Sequence, residues 1–120
     1  MKIAVSSQGP HLSSGVDARF GRAPWFIVID ADTGAFETVR NEQNVQAAQG
    51  AGIQSAQLVV NHGAQAVLTG HCGPKAFRVL KAAGVRVYLG LDATVADALE
   101  KFKAGSLDES SQADVEGHWV

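Results

Sequence analysis

The chain has 120 residues, a formal net charge of −2 and 46% hydrophobic residues. That is the size of one domain with enough apolar material for a packed core, and too little for two comfortable domains. The slightly acidic balance excludes a broad nucleic-acid-binding face, which needs a basic excess, although a local basic patch is compatible with it.

No stretch approaches the roughly 20 apolar residues needed to cross a bilayer. Met1-Lys2-Ile3-Ala4-Val5-Ser6 is too short an apolar run for a secretory signal, so the expectation is a soluble, cytoplasmic protein without a membrane span. Cys72 is the only cysteine. One thiol makes no internal disulfide and no Cys-x-x-Cys knuckle. A metal site would have to recruit other ligands, hold a preassembled cluster, or form between chains.

Lys2–Ser7 alternates and is rich in β-formers, which predicts a first strand. Gln8–Pro24 carries Gly9, Pro10, Gly15, Gly21 and Pro24 and reads as a long loop, a feature that in a compact domain is usually functional or mobile. Trp25–Asp30 is a second strand. Asp32-Thr33-Gly34 is turn chemistry and Phe36–Arg40 a third strand, so the pair reads as an antiparallel hairpin. After a polar link, Asn41–Gln46, the segment Ala47–Asn61 shows helical spacing at Ala48, Gly52, Ala56 and Val59. Gly63 suits a left-handed stop. Ala66–Thr69 is a short buried strand, and Gly70-His71-Cys72-Gly73-Pro74 a tight loop. Pro74 fits the first turn of a helix that buries Ala76, Phe77, Leu80 and Ala83. Val85–Leu89 is a fifth strand. Thr94-Val95-Ala96-Asp97 resembles a capping box ahead of a helix burying Val95, Ala98, Leu99 and Phe102.

From Gly105 the chain turns polar and acidic. The expected organisation is one α/β domain over residues 1–104 and a flexible tail over 105–120, with Ser106–Gly117 disordered and His118-Trp119-Val120 at the end. The order β-β-β-α-β-α-β-α predicts a mixed five-stranded sheet, an antiparallel hairpin plus parallel strands joined by right-handed crossovers, flanked by helices.

Ligands of parallel α/β sheets bind beyond the carboxyl ends of the strands. Two loops leave such ends: one after Ser7, the other after Thr69. If the first and fourth strands are neighbours, both loops meet at one rim. In Gly70-His71-Cys72-Gly73-Pro74-Lys75 the glycines let backbone approach a ligand. The helix starting near Gly73 offers free N–H groups and the positive end of its dipole to an anion. That dipole favours the Cys72 thiolate, the form that binds soft metals, and His71 can add an imidazole. The competing reading is a tight turn with an incidental apolar cysteine. Arg19 and Arg22 supply guanidinium forks for anionic oxygens or sulfides; the competing readings are an Arg19–Asp17 ion pair and a solvated Arg22. Phe20 reads as a plug into the core.

Ser7 at the end of the first strand, with Gln8 and His11 in the loop that follows it, completes the candidate binding set of Ser7, Gln8, His11, Arg19, Arg22, Gly70, His71, Cys72, Gly73 and Lys75. His62, at a helix end, reads as structural. Ser6, Ser7, Ser13 and Ser14 lack a Gly-x-Ser-x-Gly elbow and are expected to act as backbone caps or ligand hydrogen bonds. Gly70–Lys75 is not a Walker A loop. A two-metal nuclease would want carboxylates at strand ends, where this chain has Ser6-Ser7 and Thr69-Gly70. The expectation is a protein that is not an enzyme.

Asp17-x-Arg19-Phe20-Gly21-Arg22-Ala23-Pro24-Trp25-Phe26, then Gly52, Asn61-His62-Gly63-Ala64 and Gly70-x-Cys72-Gly73-Pro74-Lys75-Ala76, resembles the signature of the dinitrogenase iron–molybdenum cofactor biosynthesis family. The similarity runs from Met1 to Lys103. It implies a ribonuclease-H-like three-layer α/β fold without nuclease activity, and the binding or carrying of iron–molybdenum cofactor or its precursors. Within the family the chain is most similar to the branch of orange proteins of sulfate-reducing bacteria. That branch implies a non-covalently held molybdenum–copper sulfide cluster, and partner ATPases of the deviant-Walker type with links to cell division. A single thiol suits a preassembled cluster better than a site built ligand by ligand. Under the resemblance Cys72 is either a direct copper ligand or, the preferred reading, a close neighbour of a cluster completed by its own sulfides. A regulatory module docking to an ATPase, without metal, is the alternative function.

Overall fold

The computed structural model describes residues 1–41 and 51–113. Most of the polar link after Asn41, the first four positions of the helix expected from Ala47, and the terminal His118-Trp119-Val120 lie outside the described residues. Among the described residues there are five strands: β1 (Lys2–Ser7), β2 (Trp25–Asp30), β3 (Phe36–Arg40), β4 (Ala66–Leu68) and β5 (Arg86–Tyr88). The described helices are α1 (Ala51–Asn61), α2 (Pro74–Ala82) and α3 (Val95–Lys103), with a short 3-10 helix at Phe20–Arg22 that the sequence pattern does not reveal. None of the described helices is long and apolar enough to cross a membrane.

The strands lie in the order β3-β2-β1-β4-β5. β1 pairs with β2 and β2 with β3 in antiparallel fashion, whereas β1–β4 and β4–β5 are parallel. This is the mixed sheet expected from the element order. β4 and β5 are shorter than their apolar runs. Beyond Leu68 the Thr69 N–H still reaches the Tyr88 carbonyl at 3.1 Å, but its own carbonyl turns to accept from Leu91 N–H at 3.2 Å, so the ladder ends there.

Alternation along the central strand divides the core in two. Ala4 of β1 faces α1 and α2 with Phe20, Phe26, Val59, Val67, Phe77 and Leu80. Ile3 and Val5 face α3 with Ile27, Ile29, Leu68, Val95 and Ala98. The small side chain of Ala4 leaves room for aromatic rings, and Phe20 and Phe26 stand 5.1 Å apart at 52°. Phe20 is fully buried, so the loop that carries it is anchored by about 1.5–3 kcal/mol of side-chain burial.

Helix ends follow local chemistry. Gly63, at φ +84°, follows α1 in the left-handed conformation. Thr94 caps α3 by accepting from the Asp97 N–H at 3.1 Å. On α2, Ala76, Phe77 and Leu80 are buried as expected, but Ala83 is exposed because it falls at the C-cap, past the helical stripe. On α3, Val95 and Ala98 are buried, while Leu99 and Phe102 pack at its margin.

The expectation of a flexible tail from residue 105 needs correction as far as residue 113. Leu107 packs on the α3-side core and Ala113 on the other. Glu109 forms an antiparallel bridge with Tyr88, Ser110 N–H donates to the Val87 carbonyl at 2.8 Å, and Lys81 Nζ stands 2.9 Å from the Glu109 carboxylate. A polar composition is compatible with order here because the open edge of β5 supplies backbone partners.

Candidate functional site

β1 and β4 are adjacent and parallel, so the loops that follow them leave from one edge of the sheet. The long first loop is tied down by backbone bonds rather than loose. Gln8 N–H donates to Gly15, and Asp17 N–H to the carbonyl of Ser6 in β1, both at 2.9 Å. Phe20 N–H donates to His71 at 3.1 Å, and Arg19 forms a parallel bridge with His71. Gly70 lies against Ala18 so closely that a Cβ would meet its backbone at 2.8 Å. Beneath this junction the hydroxyl oxygens of Ser6 and Thr69 are 2.7 Å apart in the buried core, and Ser6 Oγ donates to the Asp17 carbonyl at 2.8 Å.

A third loop, after β5, belongs to the same rim and escaped the sequence reading. Gly90 N–H donates to Gly70 at 2.8 Å, and Val16 N–H to Ala93 at 2.8 Å. Its signal was available: β5 is a parallel strand whose carboxyl end must open on the same edge. Asn41 was also missed. It is fully buried, donating through Nδ2 to the Ala23 carbonyl at 2.9 Å and to Ser55 Oγ at 3.0 Å, and so pins the end of the first loop to α1.

Among the described residues, two helix starts lie at this rim, with different fates. The first amides of α3 are taken by the first loop, Val95 N–H donating to Ser14 and Ala96 N–H to Leu12, both at 2.9 Å. α2 starts at Gly73, which provides no side-chain cap, and Pro74 has no N–H. The N–H groups of Lys75 and Ala76 make no hydrogen bond to any described residue. An acceptor from outside is therefore favoured at α2 and not at α3.

The expected site residues separate accordingly. Arg19 and Lys75 have exposed side chains at the rim. The expected alternative for Arg19 fails, since Asp17 Oδ1 accepts the Arg19 backbone N–H at 2.9 Å and the guanidinium makes no ion pair among the described residues. Arg22 and His71 are half-buried and engaged with other groups. Gly70 and Gly73 are buried backbone of the junction. Ser7 is fully buried, its hydroxyl donating to Gly9 at 2.6 Å, which is the backbone-capping role expected of these serines. Gln8 and His11 are exposed in the first loop. Asp92 adds an exposed carboxylate on the third loop.

Cys72 is fully buried among the apolar residues of the α1–α2 side, with Sγ 3.6 Å from the Gly73 carbonyl. Its backbone is at the rim but its sulfur faces the core. Among the described residues no three His, Cys, Asp or Glu side chains come together to hold a metal ion. Two clefts bounded by described residues lie away from the rim, one of about 260 Å³ beside Phe36 and one of about 430 Å³ beside Gly84 and Arg86. The shifted titrations also lie at the far edge: a hydrogen bond to Asp32 raises the Met1 ammonium above its ordinary value, and the Asp32 N–H lowers Asp30.

Residues 1–105 match the family described as dinitrogenase iron-molybdenum cofactor. The chain belongs to this family. Among solved structures, it is similar to the apo form of the orange protein from Desulfovibrio gigas, with 43% identity, a TM-score of 0.93, and coverage of 95% of this chain and 96% of that one. It is also similar to a Thermotoga protein of the DUF35 family solved by NMR, with 38% identity, a TM-score of 0.84, and coverage of 97% and 98%. An uncharacterized protein of Methanocaldococcus jannaschii is 29% identical over 111 residues, 91% of each chain. The family match ends at residue 105, so the segment that covers β5 lies outside it, whereas the three rim loops lie within it. Family membership and the orange-protein likeness assign this member a small cofactor-binding or carrier role.

Proposed function

We propose that this protein binds and carries, without catalysis, a preassembled anionic metal–sulfide cluster, specifically a molybdenum–copper sulfide cluster held non-covalently at the rim formed by the loops after β1, β4 and β5. The observation that carries the proposal is the meeting of Arg19 with the start of α2: a backbone bridge sets Arg19 beside His71, two residues before a helix N-terminus that has no side-chain cap. A guanidinium, an ammonium at Lys75 and outward amides suit an anion rich in sulfide and thiometalate charge. Burial of the Cys72 sulfur supports the reading in which the cluster is complete in its own sulfides and the thiol shapes the floor behind the loop. The likeness to the orange protein supports the choice of metals.

Reconstitution tests this. The metal-free protein is titrated with tetrathiomolybdate and copper, and followed by visible absorption, metal analysis and amide spectra. A stoichiometric sulfide-to-metal charge-transfer spectrum is expected, with shifts confined to the three rim loops and a raised melting temperature, since a ligand of the folded state stabilises it by mass action. Shifts scattered over α3 with the rim silent would place binding elsewhere. Uptake of neither metal would remove the molybdenum–copper assignment.

A further inference from the structure

The two outer edges of the sheet are treated differently. Along β5, the Tyr88–Glu109 bridge and the Ser110–Val87 hydrogen bond occupy the strand's outer side. Along β3, no described residue pairs with the outer side. An uncovered edge is a template for another strand.

The register decides what β3 presents. Asn41 N–H donates to Pro24 and Asp30 N–H to the Ala35 carbonyl, so the backbone groups of residues 35, 37, 39 and 41 point at β2. Those of Phe36, Thr38 and Arg40 point outward. The same three residues carry their side chains on the face of Ile29, Ile27 and Trp25, which stand directly opposite them. Phe36 is 46% exposed, the most exposed large apolar side chain described. The Arg40 guanidinium stands 5.0 Å from the centre of the Trp25 ring.

We propose that β3 docks against β3 of a second copy of this chain, antiparallel, with Thr38 opposite Thr38 on the two-fold axis. Outward groups bond only in registers that set one of these three residues opposite another. Centring on Thr38 places Phe36 opposite Arg40 of the other copy on both sides of the axis. Each guanidinium then lies between Trp25 of its own chain and Phe36 of the other, a cation flanked by two aromatic rings. On the opposite face Glu37 meets Val39, so no like charges oppose each other. A shift of two residues either way separates Phe36 from Arg40 and loses the match. The contact is isologous and closes at two copies. Stable interfaces bury about 1,200–2,000 Å², and an edge of five residues offers less, so the dimer forms reversibly with concentration. The antiparallel axis sends the two cluster rims to opposite ends, and dimerisation is independent of cluster binding.

The test is sedimentation equilibrium of the full chain from micromolar to millimolar concentration, with amide hydrogen exchange at both ends of the range. The parent protein should pass from monomer to dimer, with the Phe36 and Thr38 amides slowing as concentration rises while Glu37 and Val39 stay slow throughout. Thr38→Pro removes the outward N–H at the axis, a change edge strands tolerate. Phe36→Lys sets an ammonium opposite Arg40 without touching the backbone, and serves alone if the proline variant does not fold. Both should stay monomeric with the parent far-ultraviolet circular dichroism. A parent that is monomeric throughout, or a dimer unaffected by Phe36→Lys, would overturn the proposal. So would slow Phe36 and Thr38 amides at every concentration, which would assign the edge to another stretch of the same chain.

Discussion

Gly70 lies so close to Ala18 that a Cβ built on it would stand 2.8 Å from both the Cα and the carbonyl oxygen of Ala18. The two loops that define the rim touch through bare backbone, and a side chain at residue 70 cannot be accommodated unless they part.

Gly70→Ala should therefore lower stability by about 1–3 kcal/mol, the usual range for forcing an extra carbon into a packed site. It should also weaken cluster retention, because Arg19 is positioned by the strand-like contact with His71 next to this junction. Thermal denaturation and a retention assay measure the two effects. A variant as stable as the parent that still binds cluster would show that the loops can separate at no cost.

Replacing Arg19 and Arg22 together by Ala should loosen the cluster at least tenfold and make the remaining binding more sensitive to salt. Hydrogen bonds to charged groups contribute about 1.5–3 kcal/mol each, and exposed charges are screened over about 8–10 Å at physiological ionic strength. Arg19→Ala alone should leave the melting temperature nearly unchanged, since its side chain is exposed and holds no ion pair among the described residues. Retention that is the same across a salt series would take both arginines out of the site.

Cys72→Ser puts a hydroxyl where an apolar sulfur now lies among core side chains. A loss of about 1–3 kcal/mol in stability is expected if that hydroxyl finds no partner. The folded variant should still take up a coloured cluster with nearly the parent spectrum. Loss of all colour in a variant shown to be folded would instead make the thiolate a metal ligand, and would require the loop to turn residue 72 outward.

Truncation after Gly105 removes Leu107, the Tyr88–Glu109 bridge and the Lys81–Glu109 ion pair. The ion pair is half exposed and contributes at most about 1 kcal/mol. Most of the expected fall in melting temperature comes from uncovering the side of Leu107 and the edge of β5. The truncated protein should also aggregate more readily on heating, as uncovered strand edges do. Unchanged melting and light scattering would show that the segment contributes nothing to the fold.

Much of this structure was open to reading one segment at a time. Strands β1, β2 and β3, the Asp32-Thr33-Gly34 turn, the stop at Gly63, Pro74 opening α2 and the Thr94 cap depend on periodicity and on the backbone preferences of single residues, and these act over a few positions. The right-handed crossover rule carried the same information to the parallel half of the sheet. Phe20 was legible as a core anchor because a large apolar side chain in a polar loop has few other places to go.

What folding alone settled involves directions and partners across long sequence separations. The side chain of Cys72 turns inward and joins the buried apolar cluster that holds Phe20, Phe77 and Val67, and no local pattern distinguishes a thiol facing a rim from one facing a core. Asp17 gives its carboxylate to the Arg19 N–H instead of the guanidinium, a choice made by the bend of the loop over Gly70. Residues 106–113 gain order only because β5 ends the sheet and has unpaired backbone to offer them. Composition specifies which groups a segment carries; the neighbours that satisfy those groups exist only once the chain has closed on itself.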